Sequence, residues 1–347
     1  MPLPRPLLAA LLAVASQGCR PARTAPAPAA SAGEGARAAA LPTPPPHTDS
    51  ALEARVRTRL DTLRAQSTAY ARDLATGREI AVRADEPVNT VSVIKLPIMV
   101  LAYRDAEAGR LDLDERYALR AEDMRRGTGV LQSFSAGLRP TYRDIVTQMI
   151  VTSDNTATDV MIARLGLDRV NRMLDSLGYR ETRLRMPVGR LFRAVWEQVD
   201  PKHAALTDRQ VFERGFPGDS ENEGLYYRFV ADSAQWFGRT TARETSRFLE
   251  QLQRGELASK QSTDEMLAIL RDQVYTSRLP RRIQFTTAVG HKTGDWPPII
   301  GNDVGIIYSP RGPIVISVFT NQNRGDFVEL EATIGRVAVD VLAAWGR

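Results

Sequence analysis

Between Val91 and Val100 the chain carries two polar side chains, Ser92 and Lys95, in a run otherwise made of Val, Ile, Leu, Pro and Met. Three residues apart, they fall one turn apart on the same face of a helix. A lysine walled by such neighbours is partly desolvated. Desolvation disfavours its cation and lets the neutral amine take a proton from a nearby hydroxyl. Ser92 also stands near the helix start, where free backbone N–H groups can face a developing oxyanion. The chemistry on offer is nucleophilic attack by an activated serine. Taken alone, a capping serine beside a snorkelling lysine would look the same.

Two other short stretches carry suitable groups. Ser153-Asp154-Asn155 follows an amphipathic segment, Tyr142 to Thr152, and His291-Lys292-Thr293-Gly294 ends a predicted strand. Separately, the first reads as the N-cap of a helix over Ala157 to Leu165, and the second as a strand running into a turn.

The elements that must position these groups follow from periodicity. Ser50-x-x-Glu53 is a capping box, and Leu52, Val56, Leu60 and Leu63 make a helical stripe behind it. Thr68 to Leu74 and Arg78 to Arg83 flank Gly77 as a hairpin. From Ser92 to Leu184 the pattern is mainly helical, broken at Gly127-Thr128-Gly129 and Gly137-Leu138. Strands return at Phe285 to Val289, Asp303 to Tyr308 and Pro313 to Phe319, before a last helix with Leu330, Ile334, Val337 and Val341 on one side. Strands at both ends of a helical middle predict an α/β (α+β) fold: one antiparallel sheet flanked by helices and built from both chain ends, with an all-α part inserted at about 91–240. Residues 188–238 hold nine of the chain's 23 aromatic residues, too many for a loose linker, so an ordered extension or lid is expected there.

Apolar residues at 43% and charged residues at 25% are those of a soluble globular protein. The net charge of +5 comes from scattered arginine without a nucleic-acid-binding motif, so no nucleic-acid partner is expected. Cys19 is the sole cysteine, which excludes an intramolecular disulfide; His47, His203 and His291 lack zinc-ligand spacing, and no cofactor is expected. Residues 1–18 resemble an export signal, with Arg5 ahead of an apolar run from Leu7 to Ala15. Ala13-Val14-Ala15 fits ordinary cleavage, whereas Gly18-Cys19 fits a lipoprotein junction that would tie the protein to a membrane through Cys19. Either route exports it to the periplasm or cell envelope. Residues 19–48, rich in Pro and Ala, read as a disordered tether to a catalytic domain over 49–347, expected to be monomeric.

In their order along the chain, Ser92-x-x-Lys95, Ser153-Asp154-Asn155 and Lys292-Thr293-Gly294 resemble the signature elements of the class A β-lactamases and penicillin-binding serine hydrolases. Gly127 to Gln132, Met149 to Thr158 and Asn302-Asp303-Val304-Gly305 are also similar to that family, so the resemblance spans about residues 50–347 without the aromatic-rich segment. It implies a site in a groove between an α/β domain and an all-α domain. Ser92 would attack a strained lactam carbonyl and become acylated, with Lys95 removing its proton. The backbone N–H groups of Ser92 and Asp295, the latter just past Gly294, would hold the oxyanion. Ser153, linked to Lys292, would protonate the departing nitrogen. Lys292 and Thr293 would bind the substrate carboxylate with help from Arg278, Arg281 or Arg282, and Asn155 would bind a side-chain amide. Deacylation is where the chain departs from the family, which uses a glutamate in a Glu-x-x-Leu-Asn loop. Here Arg185 to Arg190 follow Leu184 with no acid. Glu197, Glu213, Glu221 and Glu223 lie further on, Glu197 nearest in sequence, and the water-activating base stays unassigned. The expected function is β-lactam hydrolysis. The alternatives are a receptor that acylates without turnover and a D-alanyl-D-alanine-type peptidase.

Overall fold

The structure is a computed structural model that describes residues 44–218 and 224–346. The expected export signal, Cys19 and most of the expected tether lie outside the described residues. Pro44 to Thr48 do belong to the folded domain: Arg72 donates to the Pro44 carbonyl at 2.7 Å, and strand β1 (His47–Thr48) pairs in parallel with the edge of the main sheet.

Helix α1 (Ser50–Asp61) is capped by Asp49, whose carboxylate accepts from the Leu52 N–H at 3.1 Å. The capping box expected at Ser50 does not form, because Glu53 accepts instead from the Ala81 N–H at 3.0 Å. Strands β2 (Gln66–Asp73) and β3 (Arg78–Val82) make the predicted hairpin. Short strands β4 (Val88–Asn89), β5 (Arg183–Leu184) and β6 (Gly238–Thr240) form a separate small sheet in the order β4-β6-β5. Strands β7 (Val289–Trp296), β8 (Ile300–Ser309) and β9 (Gly312–Asn321) complete the main sheet, whose order is β1-β3-β2-β9-β8-β7. β2 lies antiparallel to β9 from Gln66–Asn321 to Asp73–Ile314, so the sheet is joined from both ends of the described chain, as periodicity predicted.

Two further expectations needed correction. The strand predicted at Phe285 to Val289 begins only at Val289, because the amides of Ile283, Gln284 and Thr286 are spent in local turns and Phe285 stands 94% exposed. The helical reading of Ser92 to Leu184 fails over residues 108–141, where Gly109, Gly127, Gly129 and Gly137 all adopt positive φ and only two short 3₁₀ turns form.

Helices α1 and α11 (Phe327–Trp345) cover one face of the sheet, burying Leu52, Val56 and Leu60 against Leu330, Ile334 and Val337. On the other face lie α9 (Ala242–Gln253) and α10 (Lys260–Arg271), and beyond them the helical part. Its centre is α2 (Lys95–Glu107), buried at every position from Lys95 to Tyr103. A helix apolar on all sides belongs in a core, and this one begins with a lysine. Around it pack α3 (Tyr142–Val151), α4 (Asn155–Leu165) and α5 (Leu167–Ser176). The aromatic-rich segment supplies α6 (Val188–Val199), α7 (Asp208–Arg214) and α8 (Leu225–Ala231), with Phe192, Phe229 and Phe237 buried.

Candidate active site

Ser92 sits in a 3₁₀ turn, Val91–Ile94, that leads directly into α2. The turn is held on the sheet by three asparagines. Asn302 on β8 donates to the Asn89 carbonyl at 2.9 Å and accepts from Asn321 at 3.1 Å. Asn321 in turn accepts from the Asn89 N–H at 2.9 Å, and Asn89 accepts from the Val91 N–H at 3.1 Å. Such a buried, mutually satisfied network fixes the backbone ahead of Ser92. Val91 adopts φ +40°, a strained conformation for a β-branched residue that persists only when its surroundings impose it. Gly294 on β7 lets the strand close up: a Cβ there would lie 2.5 Å from the Thr90 carbonyl.

Both lysines of the sequence pattern are fully buried, and both reach Ser153. Lys95 Nζ donates to the Ser153 carbonyl at 2.6 Å, to Asn155 Oδ1 at 2.9 Å and to Ser153 Oγ at 3.3 Å. Lys292 Nζ donates to Ser153 Oγ at 2.9 Å and to the Thr293 carbonyl at 2.8 Å. Burial, reinforced by repulsion from Lys292, holds the Lys95 pKa well below the ordinary lysine range. Burial likewise lowers Lys292 to about 7, with Asp295 and Asp303 partly countering it.

Ser153 presents its carbonyl and hydroxyl together because it adopts φ +54° at the junction of α3 and α4. The junction is locked by Asp154, so the Ser153-Asp154-Asn155 stretch does supply the expected N-cap. Asp154 is the N-cap of α4 and accepts from the amides of Ala157 and Leu131, each at 2.8 Å. Gly129, at φ +106°, passes against Asp154 where any Cβ would overlap it, and Thr128 donates to the Ser153 carbonyl at 2.7 Å. Asn155 uses its Nδ2 to bind the Arg126 carbonyl at 2.9 Å.

Ser92 opens on a cavity of about 830 Å³ together with Thr128, Asn155 and Asp295. Among the described residues its hydroxyl has no hydrogen-bond partner, so it is free to engage a substrate. The cavity wall is otherwise largely aromatic and aliphatic, with Phe192, Phe216, Tyr226, Tyr227 and Phe237 contributed by the aromatic-rich segment. Of the three candidate arginines only Arg278 lines it; Arg281 and Arg282 do not. Thr293 and Lys292 fall on opposite faces of β7 by alternation; both are fully buried, neither lines the cavity, and the Thr293 hydroxyl has no hydrogen-bond partner among the described residues. Glu197, the nearest candidate base in sequence, pairs with Arg190 at 3.0 Å and does not line the cavity. Glu213 pairs with Arg209, also off the cavity, while Glu221 and Glu223 lie outside the described residues. Among the described residues the carboxylates that do line the cavity are Asp295 and Glu331, both ion-paired with Arg278.

An ion-pair cluster that sequence reasoning missed anchors the extension. Arg125 binds Asp159 on α4 at 2.6 Å and Asp208 on α7 at 2.7 Å. Asp159 also accepts from the amides of Val188 and Gly189, at 2.6 and 2.8 Å, and so starts α6. Arg193 on α6 closes the ring onto Asp208. Charges scattered over some eighty residues give no local signal of such a meeting.

The model of the beta-lactamase enzyme family matches residues 51–345. A beta-lactamase of Streptomyces lavendulae is 25% identical over 287 residues, covering 80% of this chain and 81% of that protein. A beta-lactamase of Streptomyces albus G is 27% identical over 284 residues, or 79% of each. Among solved structures, the beta-lactamase from Sphaerobacter thermophilus DSM 20745 is 27% identical with a TM-score of 0.69, over 86% of this chain and 98% of that one. PBP-A shares the fold at 22% identity, with a TM-score of 0.70 over 87% of this chain and 98% of that one.

Replacing Arg125 with Met removes the shared cation of Asp159 and Asp208, a loss on the order of 3 kcal/mol for a mostly buried pair. The Val188 and Gly189 amides should then exchange with deuterium at least about tenfold faster, with strand β8 unaffected. Unchanged exchange at both amides would show that the cluster does not hold the extension.

Proposed function

The chain belongs to the beta-lactamase enzyme family, and from that premise we propose that it is a serine hydrolase opening β-lactam rings through an acyl-enzyme on Ser92. The observation that carries this reading is the meeting of Lys95 and Lys292 on one hydroxyl, that of Ser153, beside a cavity onto which Ser92 opens. Ser92 attacks the lactam carbonyl. Lys95, whose burial favours the neutral amine, takes the hydroxyl proton directly or through Ser153. The N–H groups of Ser92 and Asp295 stabilise the oxyanion; such donors contribute roughly 3 kcal/mol each. Ser153, charged with a proton from Lys292, delivers it to the departing ring nitrogen. Asn155 holds Lys95 in place and offers a second amide hydrogen to the substrate's side-chain amide. Lys292, together with the buried and unpartnered Thr293 hydroxyl, carries the contact with the substrate's anionic group.

One observation favours a second reading, a penicillin-binding receptor that acylates and stops. The acids lining the cavity among the described residues are both committed to Arg278, which leaves neither free to activate a water against the ester. Export through the N-terminal signal, with or without a lipid on Cys19, completes the proposal and accords with a target in the cell envelope.

Mass spectrometry after exposure to penicillin should find one covalent adduct, lost in Ser92→Ala; an adduct that persists in the variant would remove Ser92 as nucleophile. With a chromogenic cephalosporin, product release should continue beyond one equivalent, and a stoichiometric burst followed by a flat line would establish the receptor.

The pH profile tests Lys292 separately. Its ammonium is present below about 7 and lost above, so kcat/KM for acylation should fall as pH rises through about 7. In Lys292→Arg the cation persists, and that limb should move above about pH 9. A limb that stays in place in the variant would assign it to another group.

A further inference from the structure

The cavity onto which Ser92 and Asn155 open is also lined by the aromatic-rich extension. A Cβ on Gly127 would lie 2.8 Å from Asn155 Nδ2 and 3.7 Å from the Phe192 ring, so that amide and that ring border one corner of the wall. Phe216 meets Phe192 edge-on, with ring centroids 4.9 Å apart and planes at 88°. The rest of the wall is held in place from several elements. Tyr226 donates to the Pro217 carbonyl at 2.6 Å, and Trp296, the residue after Asp295, packs on Phe229 at 5.7 Å. The Arg324 guanidinium lies 4.0 Å from the Tyr227 ring centroid. None of the described extension residues lining the cavity carries a charge.

At about 830 Å³ the cavity stands toward the upper end of the roughly 300–1,000 Å³ range of small-molecule sites. Phe216 is nonetheless 41% exposed, an aromatic surface that gains by being covered. What covers it follows from what shares the cavity. A group joined to a carbonyl on Ser92 and reaching past the Asn155 amide has Phe192 and Phe216 as its next neighbours. Rings pack there edge-on, whereas a charged group would lose water and find no partner.

We propose that Phe192 and Phe216 are specificity-determining residues, selecting acyl donors that carry a bulky, uncharged aryl group beyond the amide that Asn155 contacts. The proposal rests on Ser92 being the acylated residue and deepens that reading: it names the half of the substrate that the extension recognises.

The full protein is assayed for acylation kcat/KM with three penicillins that share the nucleus, the carboxylate and the leaving nitrogen. They differ in the acyl group: acetyl, phenylacetyl or 2-naphthylacetyl. The rate constant should rise in that order, by about tenfold or more overall. Phe216→Ala should lower the naphthylacetyl-to-acetyl ratio by about fivefold or more, a change that general loosening of the fold would not produce. Phe192→Leu, which stays apolar but loses the ring, should shift the ratio the same way. Equal rates for the acetyl and naphthylacetyl compounds overturn the proposal, as does a ratio unmoved in both variants. Should Phe192→Leu fail to fold, the wild-type series and Phe216→Ala decide. Failure of all three compounds to acylate Ser92 would instead remove the underlying hydrolase reading.

Discussion

One serine hydroxyl receives two fully buried lysine side chains, Lys95 and Lys292. Moving an unpaired charge into a protein interior costs several kcal/mol, and here two groups able to carry the same charge are brought to one oxygen. The arrangement survives because each lysine also finds a fixed acceptor: Ser153 O and Asn155 Oδ1 for Lys95, Thr293 O for Lys292. Those acceptors come from the α3–α4 junction and from β7, so the site exists only when the helical part and the sheet are in register. Burial lowers both pKa values, that of Lys292 to about 7 and that of Lys95 well below the ordinary lysine range with repulsion from Lys292 added, which lets protons move through this contact. Much of the surrounding architecture serves that contact. The asparagine network fixes the turn bearing Ser92, Gly294 lets β7 approach it, and Asp154 with Gly129 holds Ser153 in its left-handed conformation.

The aromatic-rich extension sets the medium in which this chemistry runs. Phe192, Phe216, Tyr227 and Phe237 close an apolar wall over Ser92, where electrostatic interactions are stronger than in open water. The extension lies where the resemblance implies an acid-bearing loop, and its described glutamates Glu197 and Glu213 are turned onto Arg190 and Arg209. Arg125 ties it to α4 by way of Asp159, so the wall is anchored to the helix that begins beside Ser153. Acylation and positioning are thus strongly built, while water activation is not provided by any acid lining the cavity among the described residues.

Much of this was legible in the residues alone. Ser92 and Lys95 stood out because an apolar run carried nothing else polar, and the resemblance named Ser153, Asn155 and Lys292 as their partners. The hairpin and the final helix followed from alternation and from the stripe Leu330, Ile334, Val337. What escaped was non-local or carried by backbone conformation. Asp49 rather than Ser50 caps α1 because a strand amide, that of Ala81, claims Glu53. Residues 108–141 failed as helix because glycines at positive φ shape them, which composition alone does not reveal. The Arg125 cluster and the pairing of Arg278 with Glu331 join residues whose meeting only the tertiary fold determines.

The central claim is that Lys95 and Ser153 act as one unit in acylation, and a double-mutant cycle on the benzylpenicillin acylation rate measures this directly. Lys95→Ala, Ser153→Ala and the double variant are compared with wild type. The account predicts strong non-additivity, the double variant being about as slow as the slower single variant. Losses that simply multiply would mean that the two side chains act independently, and the shared-hydroxyl account would be wrong.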